Sequence, residues 1–209
     1  MNKLFKGFYF ITDHSLSING NVKDVELALQ AGVKIIQYRE KNRERKSFYD
    51  ELIEIKDLCK VYNALLIIND DVNLAKEVDA DGVHVGQNDL HIQEVKKILG
   101  ENKIIGVSTK SLSQAFSAQK QGASYIGIGH IFPTNTKIKT SKLIGTEILK
   151  DIKTKLLIPV AAIGGINIKN AKSVIDTGVD MVCAISDSLK NGTVKENIEH
   201  YFKLFQSNV

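Results

Sequence analysis

The segment QYREK places three polar side chains, Gln37, Arg39 and Lys41, at alternate positions along the end of a short β-branched run. Side chains two residues apart on a strand point to the same side, so all three are predicted to face one surface. Two cations and an amide that converge suit a diphosphate or a carboxylate. The alternative is that Arg39 and Lys41 are solvated surface charges.

A second group of polar residues carries carboxylates. Asn69 and Asp70 follow the apolar run LLII, and Asp89 follows the next such run, in HVGQND. If these runs are neighbouring parallel strands, their loops lie side by side and two carboxylates can share a hard cation. Mg²⁺ is commonly held by one or two carboxylates together with phosphate oxygens and water, so the sequence favours a magnesium site at Asp70 and Asp89. The alternative is that each aspartate caps the following helix.

A hydroxyl and a pair of glycines follow later runs. Ser108, in GVST, is placed to bond a phosphate oxygen or a heterocycle, but serine is also an ordinary helix cap. Gly164 and Gly165 let the backbone approach a phosphate, and parallel barrels frequently bind phosphate after their seventh and eighth strands. A tight turn that needs glycine is the alternative. His84 and His130 lie within apolar runs, where histidine is usually a core residue, so they rank below the charged residues. The alternative is that a histidine near the barrel mouth moves protons near neutral pH.

The elements that must position these residues are short β-branched runs that alternate with amphipathic stretches. Examples of the latter are Val22 to Gln30, Arg45 to Tyr62 and Ile92 to Leu99, where apolar residues return every three or four positions. Such alternation predicts parallel strands connected by helices. The predicted strands are Gly7 to Thr12, Ile35 to Arg39, Leu65 to Asn69, Gly82 to Val85, Ile104 to Ser108, Tyr125 to Phe132, Val160 to Gly164 and Met181 to Ser186.

Eight strand and helix units are enough to close a parallel sheet into a barrel. We therefore predict an α/β protein with the (β/α)₈ TIM-barrel fold, with residues 1–209 forming a single catalytic domain. An open, doubly wound sheet with fewer strands is the alternative. The segment from Pro133 to Ile144 is polar and lacks helical periodicity, so it is predicted to be a long loop after the sixth predicted strand.

Composition excludes several classes of function. The 28 Lys and Arg residues against 24 Asp and Glu residues leave a net charge of +4, too small to indicate a nucleic-acid binder. Cys59 and Cys183 are not spaced like metal ligands and are predicted to be reduced core residues, which suits the cytoplasm. No apolar run approaches the roughly 18 residues that a membrane span requires. We expect small-molecule partners, no membrane association, and an oligomeric state that the sequence leaves open, a homo-oligomer included.

Eight segments, taken in order, resemble the thiamine-phosphate synthase family along almost the whole chain. They are YFITD, QYREK, IIND, DGVHVGQNDL, IGVST, GHIFPTNTK, PVAAIGGI and VCAIS. The resemblance implies a transferase that joins hydroxymethylpyrimidine diphosphate to a thiazole phosphate, giving thiamine phosphate and diphosphate. It also implies a dissociative mechanism, in which diphosphate leaves first and the thiazole nitrogen captures the pyrimidine carbocation.

The resemblance assigns roles to the matched positions. The residues expected to hold the pyrimidine diphosphate are Gln37, Arg39, Lys41, Asn69 and Lys137, and Ser108 is expected to help to position the pyrimidine. The residues expected to hold the thiazole phosphate are Thr134, Thr136, Gly165, Ile185 and Ser186. Asp70 and Asp89 are expected to carry Mg²⁺, the implied cofactor. The residues expected to act in the chemical step are Arg39, Lys41, Ser108 and Lys137.

The chain departs from the family pattern at two positions. Asp71 stands where the family usually has Arg, and His130 stands where it commonly has Pro. The second change matters because related thiazole tautomerases have a His at the matching position. Those relatives generally lack the diphosphate and metal residues that this chain keeps, so the synthase is favoured. A tautomerase and a non-catalytic sensor of phosphorylated ligands on the same scaffold are the alternatives.

Overall fold

The computed structural model describes residues 5–134 and 143–207. Its strands lie where the β-branched runs predicted them, and each pairs with its neighbours in parallel. The strands are β1 (Gly7–Phe8), β2 (Phe10–Ile11), β3 (Ile35–Tyr38), β4 (Leu65–Asn69), β5 (Gly82–Val85), β6 (Ile104–Thr109), β7 (Tyr125–Ile128), β8 (Val160–Ile163) and β9 (Met181–Cys183).

The sheet closes on itself through its first two strands. β1 pairs with β9 and β2 pairs with β3, and Tyr9 alone separates β1 from β2. The Tyr9 N–H donates to the Val182 carbonyl at 3.0 Å, whereas the Thr12 N–H donates to the Gln37 carbonyl at 2.9 Å. One predicted strand is thus divided because its two halves bond to different neighbours. The barrel prediction is confirmed, and the open-sheet alternative is wrong.

Helices follow the strands and cover the outside of the barrel. They are α1 (Asn21–Gln30), α2 (Tyr49–Val61), α3 (Val72–Glu77), α4 (Ile92–Leu99), α5 (Leu112–Gln121), α6 (Gly145–Lys155), α7 (Ala171–Ile175), α8 (Ile185–Ser188) and α9 (Val194–Gln206). Two predicted strands were too long by three or more residues: the sixth ends at Ile128, and the eighth ends at Cys183 because Ile185 begins α8. The predicted helix from Arg45 begins with a 3₁₀ turn instead.

Apolar side chains form two cores, as alternation along parallel strands requires. One fills the barrel interior and includes Tyr9, Tyr125 and Cys183, and the other lies between the barrel and the helices. Both cysteines are buried and free, as predicted, and burial raises the pKa of the Cys59 thiol to about 12. Among the described residues, every helix is too short or too polar to span a lipid bilayer.

Candidate active site at the carboxyl ends of the strands

Two adjoining pockets, bounded by described residues, open at the carboxyl ends of the strands. The outer pocket has a volume of about 830 Å³ and lies among the loops that follow β2, β3, β8 and β9. The inner pocket, of about 480 Å³, reaches down to Gly127 in β7 and Cys183 in β9. Two linked pockets can hold two small molecules side by side. The residues that line both are Arg39, Lys41, Thr134, Gly165, Ile166 and Ser186.

Arg39 is held in place by a carboxylate that the sequence analysis missed. Its Nη1 donates to Asp13 Oδ2 at 3.1 Å, and the two side chains are 18% and 9% exposed. Asp13 is fixed in turn by Ser15, whose backbone N–H donates to Asp13 Oδ1 at 3.1 Å. Arg39 is therefore not a solvated surface charge. The available signal was position: Asp13 closes YFITD just after β2, as the other candidates close their strands.

The loop that carries Lys41 is folded around Glu40. Glu40 Oε1 accepts from the backbone N–H groups of Lys41 at 2.8 Å and Asn42 at 2.9 Å, and Oε2 accepts from Arg43 Nε at 2.6 Å. Burial acts to raise the pKa of the Glu40 carboxyl, but these hydrogen bonds from Asn42 and Arg43 outweigh it and hold the pKa below its ordinary value of 4.5. Glu51 on α2 accepts from Arg43 at 2.7 Å and ties this loop to the helix layer.

Lys41 connects the pockets to a neighbouring group of polar residues, which is called the rim below. The rim consists of Asn69 and Asp70 at the end of β4 and Asp89 after β5. Lys41 Nζ lies 3.2 Å from Asp70 Oδ2. Asp70 has a φ of 61°, a left-handed conformation that aspartate tolerates better than most residues, and its N–H donates to the His84 carbonyl at 2.9 Å. The cap of α3 is Asp71, whose Oδ1 accepts from the Leu74 N–H at 2.8 Å. The capping alternative for Asp70 is wrong, and Asp71 has a structural role as the cap of α3.

Asp89 lies in the loop after β5, the strand next to β4. Its Oδ2 accepts from the Gly86 N–H at 2.6 Å. The N-cap of α4 is His91, whose N–H donates to Glu94 Oε2 at 3.0 Å, so Asp89 does not cap this helix either. Asn69 ends β4 opposite His84.

The donor chemistry of this rim fits a magnesium ion. The Asp70 carboxylate is 38% exposed and already contacts a cationic group, Lys41 Nζ. In residues 5–134 and 143–207, no three His, Cys, Asp or Glu side chains cluster as metal ligands. Mg²⁺ does not require such a cluster, because phosphate oxygens and water usually complete its shell. The carboxylates of Asp70 and Asp89 therefore have the donor chemistry of Mg²⁺ ligands. Neither residue is among those that line the two pockets.

Ser108 and Gln37 lie at different depths. Ser108 lines the inner pocket, and α5 is capped instead by Ser111, whose Oγ accepts from the Gln114 N–H at 3.2 Å. The capping alternative for Ser108 is therefore wrong. Gln37 is only 3% exposed and donates to the Tyr9 hydroxyl at 2.8 Å. It sits two residues before Arg39 on the same strand face, so it lies below the pockets, in the barrel interior.

The backbone at Gly164 and Gly165 forms part of the pocket wall. Their φ values of 100° and 67° are positive, a region that side chains with a Cβ rarely adopt. A Cβ on Gly165 would also lie 2.7 Å from the Phe132 carbonyl oxygen. Asn170 Nδ2 donates to the Gly165 carbonyl at 2.9 Å and fixes this turn. The glycines are needed for the turn, and the turn exposes backbone to the pocket.

The remaining predicted residues surround the same turn, except for two. Thr134 and Ser186 line both pockets, and Ile185 lines the inner one. Thr136 and Lys137 lie outside the described residues, as does most of the predicted loop from Pro133 to Ile144. Further lining residues that the sequence analysis did not identify are His14, Asn167 and Lys190 of the outer pocket. His130, which it ranked below the charged residues, lines the inner pocket.

The fold is that of the (β/α)₈ barrels, a class whose enzymes carry their active sites at the carboxyl ends of the strands and frequently bind phosphate after the last two. Comparison with known proteins narrows the class. A family model described as thiamine monophosphate synthase matches residues 8–187. The chain belongs to this family.

Individual relatives agree along almost their full length. A thiamine-phosphate synthase of Methanosarcina barkeri is 41% identical over 199 residues, 95% of this chain and 90% of the relative. One of Clostridium novyi is 44% identical, with 90% of this chain and 92% of the relative covered. A solved thiamine phosphate pyrophosphorylase from Pyrococcus furiosus superposes with a TM-score of 0.89 at 38% identity, covering 98% of both chains.

Proposed function

We propose that this protein is a thiamine-phosphate synthase, which joins hydroxymethylpyrimidine diphosphate to a thiazole phosphate in thiamine biosynthesis. The single observation that carries the proposal is the common wall of the two pockets, where Arg39 and Lys41 face both. A reaction between two phosphorylated molecules needs adjacent sites, with cations between them. The family and the names of the relatives support the same activity.

The inner pocket is assigned to the pyrimidine diphosphate. Cleavage of this substrate breaks the carbon–oxygen bond between the pyrimidine methylene and diphosphate. The bonding electrons leave on the diphosphate oxygen. Arg39 and Lys41 stabilise the charge that develops there, and Asp13 keeps Arg39 aimed at it. The thiazole nitrogen then forms the new carbon–nitrogen bond with the methylene cation. No proton transfer to a strong protein base is required.

Asp70 and Asp89 are the proposed ligands of Mg²⁺, which supplies charge compensation to a diphosphate when bound. With Asp70 engaged by the metal, Lys41, whose Nζ lies 3.2 Å from Asp70 Oδ2, would be available to the diphosphate. The thiazole phosphate is assigned to the outer pocket, against the bare backbone at Gly165 and the side chains of Thr134 and Ser186.

One observation favours a second candidate function. His130, which replaces the usual Pro of the family, lines the inner pocket. A histidine there is placed to move a proton on a thiazole carboxylate phosphate, which is the chemistry of a tautomerase. The synthase is preferred because a tautomerase has no use for the carboxylates of Asp70 and Asp89, which follow the neighbouring strands β4 and β5. A sensor that binds these ligands without turnover is the remaining alternative.

The test is to mix the purified protein with both substrates, with Mg²⁺ or with EDTA, and to follow products by mass. The synthase yields thiamine phosphate with Mg²⁺ and loses this activity in EDTA. Isomerisation of the thiazole carboxylate phosphate in EDTA, without coupling, would instead identify a tautomerase. Tight calorimetric binding of both ligands without any turnover would identify a sensor.

The two buried, free thiols at Cys59 and Cys183 support the cytoplasm as the place of action.

A further inference from the structure

A chain of hydrogen bonds runs through the barrel interior and ends at the inner pocket. Gln37 Nε2 lies 2.8 Å from the Tyr9 hydroxyl, which lies 2.6 Å from the Tyr125 hydroxyl. The Tyr125 hydroxyl lies 3.0 Å from His84 Nδ1, and His84 Nε2 lies 2.9 Å from Ser108 Oγ. The chain thus joins one residue buried below the pockets to one that lines them.

The direction of every bond in this chain follows from its first member. The amide nitrogen of Gln37 carries hydrogens and cannot accept, so the Tyr9 oxygen accepts from it. The Tyr9 hydrogen must then point to Tyr125, because a buried hydroxyl hydrogen without an acceptor is costly. Burial raises the pKa of both phenols, which therefore keep their hydrogens.

The same direction continues to the pocket. Because Tyr125 accepts from Tyr9, its own hydrogen points to His84 Nδ1. His84 is therefore the neutral tautomer with its hydrogen on Nε2, which it donates to Ser108 Oγ. Ser108 accepts from His84, which leaves its own hydroxyl hydrogen for an acceptor in the inner pocket, which Ser108 lines.

Two glycines, Gly106 and Gly127, leave space in the barrel interior for this hydrogen-bond chain. A Cβ on Gly106 would overlap the Tyr125 ring and hydroxyl, and a Cβ on Gly127 would lie 3.1 Å from His84 Cε1. The Tyr125 ring also packs against His84 and Tyr9, with centroids 5.5 and 5.7 Å apart. Two glycines in adjacent strands thus accommodate a tyrosine and a histidine within a barrel core that is otherwise largely aliphatic.

We infer that His84 is a positioning residue, which with Tyr125, Tyr9 and Gln37 fixes Ser108 as a hydrogen-bond donor toward an acceptor atom of the bound ligand. This inference rests on the proposed function for the identity of that ligand, a heterocyclic diphosphate, whose ring nitrogens and ester oxygen are acceptors. The direction of the hydrogen bonds is independent of the ligand.

The direction is tested by the ¹⁵N shifts of histidine-labelled protein in long-range ¹H–¹⁵N spectra, with the His84 signals assigned by their loss in His84→Asn. We expect hydrogen on Nε2 in the wild type. Tyr125→Phe should move His84 toward the Nδ1–H tautomer, since Nδ1 loses its donor. The control Thr177→Val removes another buried hydroxyl, which donates to the Val174 carbonyl and is not part of the hydrogen-bond chain. This control should leave the tautomer unchanged. Hydrogen on Nδ1 in the wild type would overturn the inference.

The consequence for the ligand is tested by two substitutions of His84. The amide of His84→Gln reaches the place of Nε2 and can still donate to Ser108, whereas that of His84→Asn reaches only the place of Nδ1. We expect kcat/KM for coupling to fall about tenfold in His84→Asn and about threefold or less in His84→Gln, the difference being one hydrogen bond. In a Ser108→Ala background the two variants should become equal. Equal losses with Ser108 present would contradict the inference.

The proposed function and the role of His84 are tested by separate measurements. If the wild type makes no thiamine phosphate, the proposed function is wrong, and the tautomer measurement still decides whether the interior chain points to the pocket. If either His84 variant does not fold, Tyr125→Phe takes its place in the kinetic comparison, with Thr177→Val as its control. An unchanged kcat/KM in Tyr125→Phe would then overturn the positioning role.

Discussion

Replacing Asp13 by Asn tests whether the carboxylate behind Arg39 serves to orient it. Asp13→Asn keeps the shape of the side chain and removes the charge that accepts from Arg39 at 3.1 Å. Ordering a free arginine side chain costs up to about 2 kcal/mol, and this cost falls on ligand binding once Asp13 no longer meets it. An amide retains part of the contact, so the expected loss is about 1–2 kcal/mol, or roughly 5- to 30-fold in kcat/KM.

The assay is steady-state coupling of the two substrates by Asp13→Asn, Arg39→Ala and the double variant. If Asp13 acts through Arg39, Asp13→Asn should add less than about twofold in the Arg39→Ala background. An opposing effect exists, since Asp13 is an anion close to a diphosphate site. A kcat/KM for Asp13→Asn that equals or exceeds that of the wild type would show that this repulsion outweighs orientation, and that binding does not depend on the contact of Asp13 with Arg39.

Three further predictions concern the rim, the glycine turn and the Lys41 loop. Asp89→Ala should lower the Mg²⁺-dependent kcat by more than about 100-fold. Its free energy of unfolding in urea should stay within about 1 kcal/mol of the wild type. Coupling at the wild-type rate would remove Asp89 from the site. Gly165→Ala should raise the KM for the thiazole phosphate at least tenfold, because its φ of 67° and the nearby Phe132 carbonyl leave no place for a methyl group; an unchanged KM would exclude this turn as the phosphate site. The Glu40 carboxyl has a lowered pKa in the folded protein, so its stabilising contribution is present above the ordinary value of 4.5 and is lost as the pH falls through the folded-state pKa. As the pH is lowered below that value, the free energy of unfolding in urea should therefore fall less for Glu40→Gln than for the wild type. Parallel pH profiles of the two proteins would show that Glu40 does not contribute in this way.

The barrel and the end of the barrel that carries the site could be predicted because they depend on local pattern. Short apolar runs, helical periodicity and turn glycines each have a signature of a few residues, and parallel strands bring their carboxyl ends together. The ends of the strands could not be predicted as well. The run after Ile128 stays apolar, so the pattern does not mark the residue at which this strand ends. The roles of Asp70, Asp89 and Ser108 were ambiguous for a related reason, since capping depends on which of several adjacent polar residues faces the helix.

The contacts that the sequence analysis missed are long-range. Asp13 pairs with a residue 26 positions away, and Tyr9 meets Tyr125 at a separation of 116. A tyrosine in an apolar run reads as core, and nothing local shows that its hydroxyl continues a chain from Gln37. Gln37 was grouped with Arg39 and Lys41 by strand alternation, which predicts the face correctly but not the depth along the barrel axis.

The most direct test of the central claim is a single-turnover experiment. Excess protein is mixed with Mg²⁺ and both substrates, and quenched samples are analysed by mass for thiamine phosphate and diphosphate. We predict that the two products appear together, in equal amounts and at one rate, and that both are lost in Arg39→Ala. Folded wild-type protein that releases neither product, or an Arg39→Ala variant that releases both at the wild-type rate, would contradict the account.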